Sequence, residues 1–124
     1  NIINDSYNAN PDSMKASVSA FLGLYPQPVV VLGDMGELGE SEVELHAQVG
    51  AELAKIASKG TKFLTVGRLS RNIAGALKDF DVTSVDSNKD AAEVLRHMPE
   101  NSNVFLKASR SMKFEEIINY LKEI

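Results

Sequence analysis

Five short apolar runs alternate along this chain with five stretches of helical periodicity, and this alternation limits the fold more than any other feature. The runs are rich in Val, Ile, Leu, Phe and Thr, as buried strands are, and lie at residues 1–4, 28–33, 62–67, 82–86 and 103–109. The helical patterns follow them at residues 11–24, 41–58, 69–80, 89–98 and 112–124. The order of elements is therefore βαβαβαβαβα.

This order predicts an α/β fold, because consecutive parallel strands are joined by right-handed crossovers that place helices on both faces of the sheet. The predicted architecture is a Rossmann-like, three-layer α/β/α domain with a mostly parallel sheet. The 124 residues are enough to bury the core of one domain. We therefore expect residues 1–124 to form a single domain.

The helix predicted at residues 41–58 carries a narrow apolar stripe made largely of small residues. Such a stripe lets a helix lie close against a sheet. The stripe consists of Val43, His46, Ala47, Gly50, Leu53, Ala54 and Ala57, and Leu45, Val49 and Ile56 widen it.

Charge and composition argue against several classes of protein. The formal net charge is −4, whereas nucleic-acid binders usually concentrate Lys and Arg on one face. The chain has no cysteine, and no apolar run approaches the roughly 20 residues that a membrane span needs. We expect a cytoplasmic protein, monomeric, with no membrane span and no nucleic-acid partner.

The chain begins with Asn1 rather than Met, inside the first predicted strand. We therefore expect it to be a fragment of a longer protein. A free-standing α/β binding module is an alternative that this beginning disfavours.

Ligands of open parallel sheets bind beyond the carboxyl ends of the strands, where loops lead into helix N-termini. Three of the five loops at this edge have unusual chemistry. They are DSYNANP after the first strand, GDMGELGES after the second and KASRSM after the fifth.

The first loop contains more short polar side chains than a helix start requires. Asn10 suits the N-cap and Pro11 the first helical turn. Asp5, Ser6, Tyr7 and Asn8 are left over, and a ribose or other sugar diol would suit the carboxylate of Asp5. In the alternative interpretation, Asp5 and Asn8 only bond the backbone of the turn.

The second loop resembles a dinucleotide-binding loop but is not one. Its glycines follow G-x-x-G-x-x-G rather than G-x-G-x-x-G, and Asp34, Glu37 and Glu40 would repel a pyrophosphate. These acids suit an ammonium group, a metal or a basic partner loop, or they complement the dipole of the next helix.

The third loop presents cations where a strand passes into a helix. Arg110 suits a carboxylate or a phosphate in a bidentate fork, and Lys107 adds a point charge. Alternatively, Ser109 or Ser111 only caps the helix and Arg110 is solvated. His46 lies near the same edge and is a further candidate, although most histidines on an apolar helix face are packing residues.

Three blocks of the sequence together resemble the C-terminal domain of the Mur ligase family. They are INDSYNANPDSM, VVLGDMGELG followed by ELHAQVG, and FLKASRSMKFEEII, and they span nearly the whole chain in the right order. The first two blocks are most similar to the family member that adds D-Ala-D-Ala to UDP-MurNAc-tripeptide.

The resemblance implies a three-domain cytoplasmic ligase of peptidoglycan synthesis that depends on ATP and Mg²⁺. The ligase phosphorylates the tripeptide carboxylate, and the dipeptide amine then attacks the acyl phosphate. The phosphate loop and metal ligands belong to the central domain and the UDP site to the N-terminal domain, both absent here. This chain has no G-x-x-x-x-G-K-[ST] motif, so we expect it to be inactive alone.

The resemblance also implies a division of the ligand contacts, with no catalytic residue and no metal ligand in this chain. The nucleotide-binding residues would be Asp5 at the ribose, with Tyr7 and Asn8 nearby. The substrate-binding residues would be Asp34 at the dipeptide amine, Ser109 and Arg110 at its carboxylate, and Lys107 and Asn10.

Two other kinds of domain share part of this pattern. A phospho-receiver domain also has five βα units and a lysine at the end of its fifth strand, but here the third strand ends TVGR, without the aspartate that accepts phosphate. Another Mur-type amino-acid or peptide ligase domain is the second alternative.

Overall fold

The computed structural model describes residues 1–6 and 9–122. Five strands are present among them, namely β1 (Ile2–Asn4), β2 (Pro28–Gly33), β3 (Lys62–Val66), β4 (Asp81–Val85) and β5 (Asn103–Lys107). Five α-helices connect or follow them, namely α1 (Pro11–Leu24), α2 (Glu42–Ile56), α3 (Arg71–Ala76), α4 (Asn88–Arg96) and α5 (Glu115–Lys122). Short 3₁₀ turns at Gly39–Ser41 and Arg110–Met112 precede α2 and α5.

The strands form one sheet in the order β1-β5-β2-β3-β4, and every pairing between neighbours is parallel. In the register of the centre, Val30 of β2 lies between Phe63 of β3 and Phe105 of β5. The predicted three-layer α/β/α fold is therefore confirmed.

The two faces of the sheet bury two separate apolar cores, because successive strand residues point to opposite sides. Helices α1, α2 and α3 cover one face, and their buried residues pack on Val30, Leu32, Phe63 and Phe105. Helices α4 and α5 cover the other face and pack on Val29, Val31, Leu64, Val66, Val104 and Leu106. The central strands are thus apolar on both sides, as the continuous run at 28–33 predicts.

The edge strand β1 departs from this pattern. It was expected to be buried, but it pairs with β5 on one side only, and Ile2 is 44% exposed. A run of two isoleucines cannot distinguish an edge strand from a central one, because position in the sheet is a property of the whole chain.

Helix α1 begins and ends where the sequence predicts. Asn10 is its N-cap, and a capping box joins Asn10 to Ser13, with Pro11 in the first turn. Tyr25 then adopts an extended backbone and ends the helix. Local signals are sufficient here, because cap and proline both act within one turn.

Helix α2 packs through a narrower stripe than predicted. His46, Val49, Gly50 and Leu53 are buried, but Val43 and Ile56 are 49% and 46% exposed. Gly50 allows a close approach to α3, since a Cβ there would lie 2.4 Å from the main-chain oxygen of Ile73.

The strand order brings the three unusual loops together. They follow β1, β5 and β2, which are neighbours in the sheet. The helices after β1 and β2 lie on one face and the helix after β5 on the other. The chain therefore leaves adjacent strands in opposite directions, which opens the type of crevice in which α/β sheets bind ligands.

Candidate functional site

Main-chain hydrogen bonds join the three loops at the carboxyl edge. The amide of Asp5 donates to the carbonyl oxygen of Leu106 at 2.8 Å, which ties the first loop to β5. The amide of Ser109 donates to the carbonyl oxygen of Asp34 at 3.0 Å, which ties the third loop to the second. The loops are thus one connected structure rather than three independent turns.

Asp5 and Lys107 form an ion pair at the junction of β1 and β5. The Nζ of Lys107 lies 2.9 Å from Oδ2 of Asp5. The lysine side chain is 3% exposed and the aspartate side chain 42% exposed. The carboxylate therefore faces solvent with a buried cation behind it, and the Lys107 ammonium is directed at Asp5.

The remaining predicted residues of the first loop have different outcomes. Tyr7 and Asn8 lie outside the described residues. Asn10 caps helix α1. Its Oδ1 accepts from the main-chain amide of Ser13 at 2.9 Å, and its main-chain amide donates to Oγ of Ser13 at 3.0 Å.

Asp34 reaches the loop after β3, which is not one of the three loops with unusual chemistry. Its Oδ1 accepts from the amide of Ser70, in the turn before α3, at 2.7 Å. Gly67 leaves room for this carboxylate, since a Cβ there would lie 2.7 Å from Oδ1 of Asp34. Gly67 also has φ of 109°, which other residues rarely adopt. Asp34 therefore braces the loop that follows β3.

His46 is fully buried, with main-chain partners on both ring nitrogens. Its Nε2 accepts from the amide of Met35 at 2.9 Å, and its Nδ1 lies 2.6 Å from the carbonyl oxygen of Glu42. Both ring nitrogens are occupied, so His46 is placed to hold the second loop rather than to contact a ligand.

The third loop forms one wall of an open groove of about 340 Å³, lined by Asn4, Ser6, Arg110 and Glu115. Within the third loop, Oγ of Ser109 lies 2.8 Å from Oγ of Ser111. The groove combines a guanidinium, a carboxylate, an amide and a hydroxyl, which suits a small polar ligand carrying charges of both signs.

Asn88, at the start of α4, supports the third loop and is not among the residues predicted from the sequence. Its Nδ2 lies 2.9 Å from the carbonyl oxygen of Met112, 3.1 Å from that of Lys113 and 2.8 Å from Oε1 of Glu116. Lys113 has φ of 53°, a left-handed conformation that this bond helps to hold. No local signal predicts a contact between positions 24 residues apart.

The described residues also limit the chemistry of this edge. None of their His, Asp and Glu side chains form a group of three or more that could hold a metal ion. In the same part of the chain, no helix has the length and apolar character needed to span a membrane. The edge provides hydrogen-bonding groups and single charges for binding.

Comparison with known protein families gives one match over most of the chain. Residues 1–110 match the family described as Mur ligase, glutamate ligase domain.

Two curated relatives are similar over nearly the whole chain. UDP-N-acetylmuramoyl-tripeptide–D-alanyl-D-alanine ligase of Bacillus subtilis (strain 168) is 40% identical over 129 residues, with 98% of this chain and 28% of the relative covered. The same ligase of Escherichia coli (strain K12) is 35% identical over 126 residues, with 98% and 27% covered. The chain thus spans just over a quarter of the length of these relatives.

Solved structures give the same result for the fold. A crystal structure of MurF from Acinetobacter baumannii has a TM-score of 0.82 at 26% identity and covers 96% of this chain and 27% of that one. MurF ligase from Thermotoga maritima in complex with ADP has a TM-score of 0.77 at 24% identity, with 98% and 28% covered, and this likeness shows the fold alone.

Proposed function

Because the chain belongs to the Mur ligase family, as its three loops predict, we propose that it is the C-terminal domain of MurF, the ligase that adds D-Ala-D-Ala to UDP-MurNAc-tripeptide. The two curated relatives that carry this name are 40% and 35% identical to it. The full enzyme would then act in the cytoplasm, in peptidoglycan synthesis, with N-terminal and central domains beyond this chain.

The observation that carries the proposal is the adjacency of β1, β5 and β2, whose three loops share one edge of the sheet. A ligase must hold a nucleotide and a second substrate close together. Asp5, in the loop after β1, and Arg110, in the loop after β5, lie at this shared edge.

Asp5 is the proposed nucleotide contact. Its carboxylate is partly exposed and paired with the buried Lys107, so it is held in place while it still faces solvent. An ionised carboxylate accepts hydrogen bonds from both hydroxyls of a ribose. Asp5 would thereby orient ATP from this wall of the active site.

Arg110 is the proposed contact for the dipeptide carboxylate. It is exposed on the wall of the groove, beside Ser109, and its planar guanidinium matches a carboxylate in a bidentate pair. Glu115 lines the same groove, and the carbonyl of Asp34 on the second loop accepts from the amide of Ser109. The dipeptide amine would be directed from here toward the activated tripeptide.

This chain would not carry the phosphoryl chemistry. The sequence has no phosphate-binding G-x-x-x-x-G-K-[ST] motif, and the described residues hold no group of His, Asp and Glu suited to a metal ion. We therefore assign Mg²⁺ and the ATP phosphates to the rest of the enzyme. Closure of this domain would orient the substrates and exclude water from the acyl phosphate.

The proposal is tested by assaying the full-length protein and the 124-residue chain side by side. The full-length protein should release phosphate only when UDP-MurNAc-tripeptide and D-Ala-D-Ala are both present with ATP and Mg²⁺, and it should form UDP-MurNAc-pentapeptide. The chain alone should release none. A full-length protein that uses a single amino acid in place of the dipeptide would identify a different Mur-type ligase.

A further inference from the structure

The two histidines of this chain share one contact and differ in a second. His46 and His97 both place Nδ1 near the carbonyl oxygen four residues earlier, at 2.6 Å from Glu42 and 2.8 Å from Glu93. His97 is exposed. His46 is 0% exposed, and its Nε2 also contacts the amide of Met35, 11 residues away.

These contacts define the tautomer of the His46 ring. The amide of Met35 is a donor, so Nε2 must accept and carries no proton. The carbonyl of Glu42 is an acceptor, so Nδ1 must carry the proton and donate. Only the neutral Nδ1–H tautomer makes both bonds.

The bond to Met35 acts at the start of the second loop. Met35 directly follows Asp34, whose carbonyl accepts from Ser109 and whose carboxylate accepts from Ser70. The side chain of Met35 is 2% exposed, so main chain and side chain are both fixed at this point. His46 thus contacts the segment through which the second loop bonds to the third loop and to the loop after β3.

We infer that His46 is a positioning residue for the dipeptide-binding loops. Through the amide of Met35 it holds Asp34 where the carbonyl of Asp34 fixes the backbone of Ser109, next to Arg110. The part of this inference that concerns the dipeptide rests on the proposed function, whereas the part that concerns the loops does not.

Replacing His46 by Gln or by Asn tests the contacts of its two ring nitrogens separately. In His46→Gln the side-chain oxygen reaches the place of Nε2 and can still accept from Met35. In His46→Asn the shorter side chain retains a donor near Nδ1 for Glu42 but cannot reach Met35. His97→Asn is the matched control, because His97 has the same Nδ1 contact on the surface.

The first test is nuclear magnetic resonance on this chain. In wild type, the ¹⁵N shifts of His46 should show a protonated Nδ1 and an unprotonated Nε2. In His46→Asn, amide exchange of Met35 and Ser109 should become about tenfold faster, as expected when one hydrogen bond is lost, while Leu64 in the core is unchanged. His46→Gln should restore the protection, and His97→Asn should have no effect.

Exchange at Ser109 is the decisive measurement. Its amide bonds Asp34 and not His46, so it reports whether the effect of His46 reaches the third loop. The inference is overturned if Ser109 stays protected in His46→Asn, if all amides become faster together, or if wild-type Nε2 is protonated. In the full-length ligase, His46→Asn should raise KM for D-Ala-D-Ala and leave KM for ATP unchanged. A wild-type enzyme without ligase activity would refute the proposed function and leave the exchange result intact.

Discussion

The ammonium of Lys107 lies 2.9 Å from the carboxylate of Asp5, although 102 residues separate them in the sequence. The pair joins the carboxyl ends of β5 and β1, which the sheet brings side by side. Because Lys107 is buried and Asp5 is half-exposed, the lysine is placed to orient the aspartate. We therefore propose that Lys107 acts through Asp5, as an alternative to the substrate contact that the family resemblance implies.

Replacing Asp5 should impair the use of ATP in the full-length ligase. Asp5→Ala is expected to raise KM for ATP about tenfold, since the loss of a hydrogen bond to a charged group costs about 1.5–3 kcal/mol. KM for D-Ala-D-Ala should change little. An unchanged KM for ATP would return Asp5 to a role in the turn.

Lys107→Met should reproduce the effect of Asp5→Ala if the lysine acts through the aspartate. Met has similar length and suits a buried site, so folding should survive the loss of charge. KM for ATP should rise, and adding Asp5→Ala to Lys107→Met should add little more, which is the signature of residues that act as one unit. A rise in KM for D-Ala-D-Ala alone would instead support the direct dipeptide contact.

Asn88 should stabilise the end of the third loop through its hydrogen bonds to main-chain carbonyls. Asn88→Ala removes the donor to Met112 and Lys113, and each lost bond costs about 1 kcal/mol. We expect a several-fold rise in KM for D-Ala-D-Ala with an unchanged KM for ATP. Lys89→Ala, at the next and exposed position, is the control and should behave as wild type.

The elements could be predicted from the sequence, but their arrangement in the sheet could not. The bounds of α1 and β2 were correct because a cap, prolines and a continuous apolar run all act locally. Helix α3 was predicted at 69–80 but spans Arg71–Ala76. Asp34 from another loop bonds the amide of Ser70 just before it, and the amides of Leu77 and Phe80 form turn bonds after it. Helix α5 begins at Glu115 rather than at 112, after Lys113 turns into a left-handed conformation.

The same distinction applies to the site. Residue types selected the three loops, and the order β1-β5-β2 brought them together. Three hydrogen bonds of the site join distant segments of the chain. They link Lys107 to Asp5, Ser70 to Asp34 and Asn88 to Met112. No spacing in the sequence encodes these contacts, so residue-level roles could be predicted less well than the family.

Gly50 should be essential to the packing of α2 on α3. In Gly50→Ala the new Cβ would lie 2.4 Å from the main-chain oxygen of Ile73 and 2.9 Å from Cβ of Ala76, so the helices must separate. Overpacking of this type costs about 1–3 kcal/mol of unfolding free energy. Gly23→Ala in α1 is the control, because nothing lies within 4 Å of its added Cβ, and it should be neutral or stabilise by up to about 1 kcal/mol. Urea unfolding of this chain measures both, and equal stability of the two variants would contradict the close approach.

Arg110 is expected to recognise the carboxylate of D-Ala-D-Ala, which the reaction leaves intact. Arg110→Lys keeps the charge and loses the planar fork, so KM for the dipeptide should rise while KM for ATP is nearly unchanged. Arg110→Ala should be worse, by about 2–5 kcal/mol in kcat/KM if the pair is desolvated in the closed enzyme.

Arg71→Ala is the matched control for Arg110, since Arg71 forms an exposed ion pair with Asp86 at 2.8 Å, and it should leave both KM values unchanged. The C-terminal amide of D-Ala-D-Ala, which lacks the negative charge, should discriminate poorly between wild type and Arg110→Ala. Normal dipeptide kinetics in both Arg110 variants, or a loss of ATP affinity first, would show that Arg110 does not bind this carboxylate.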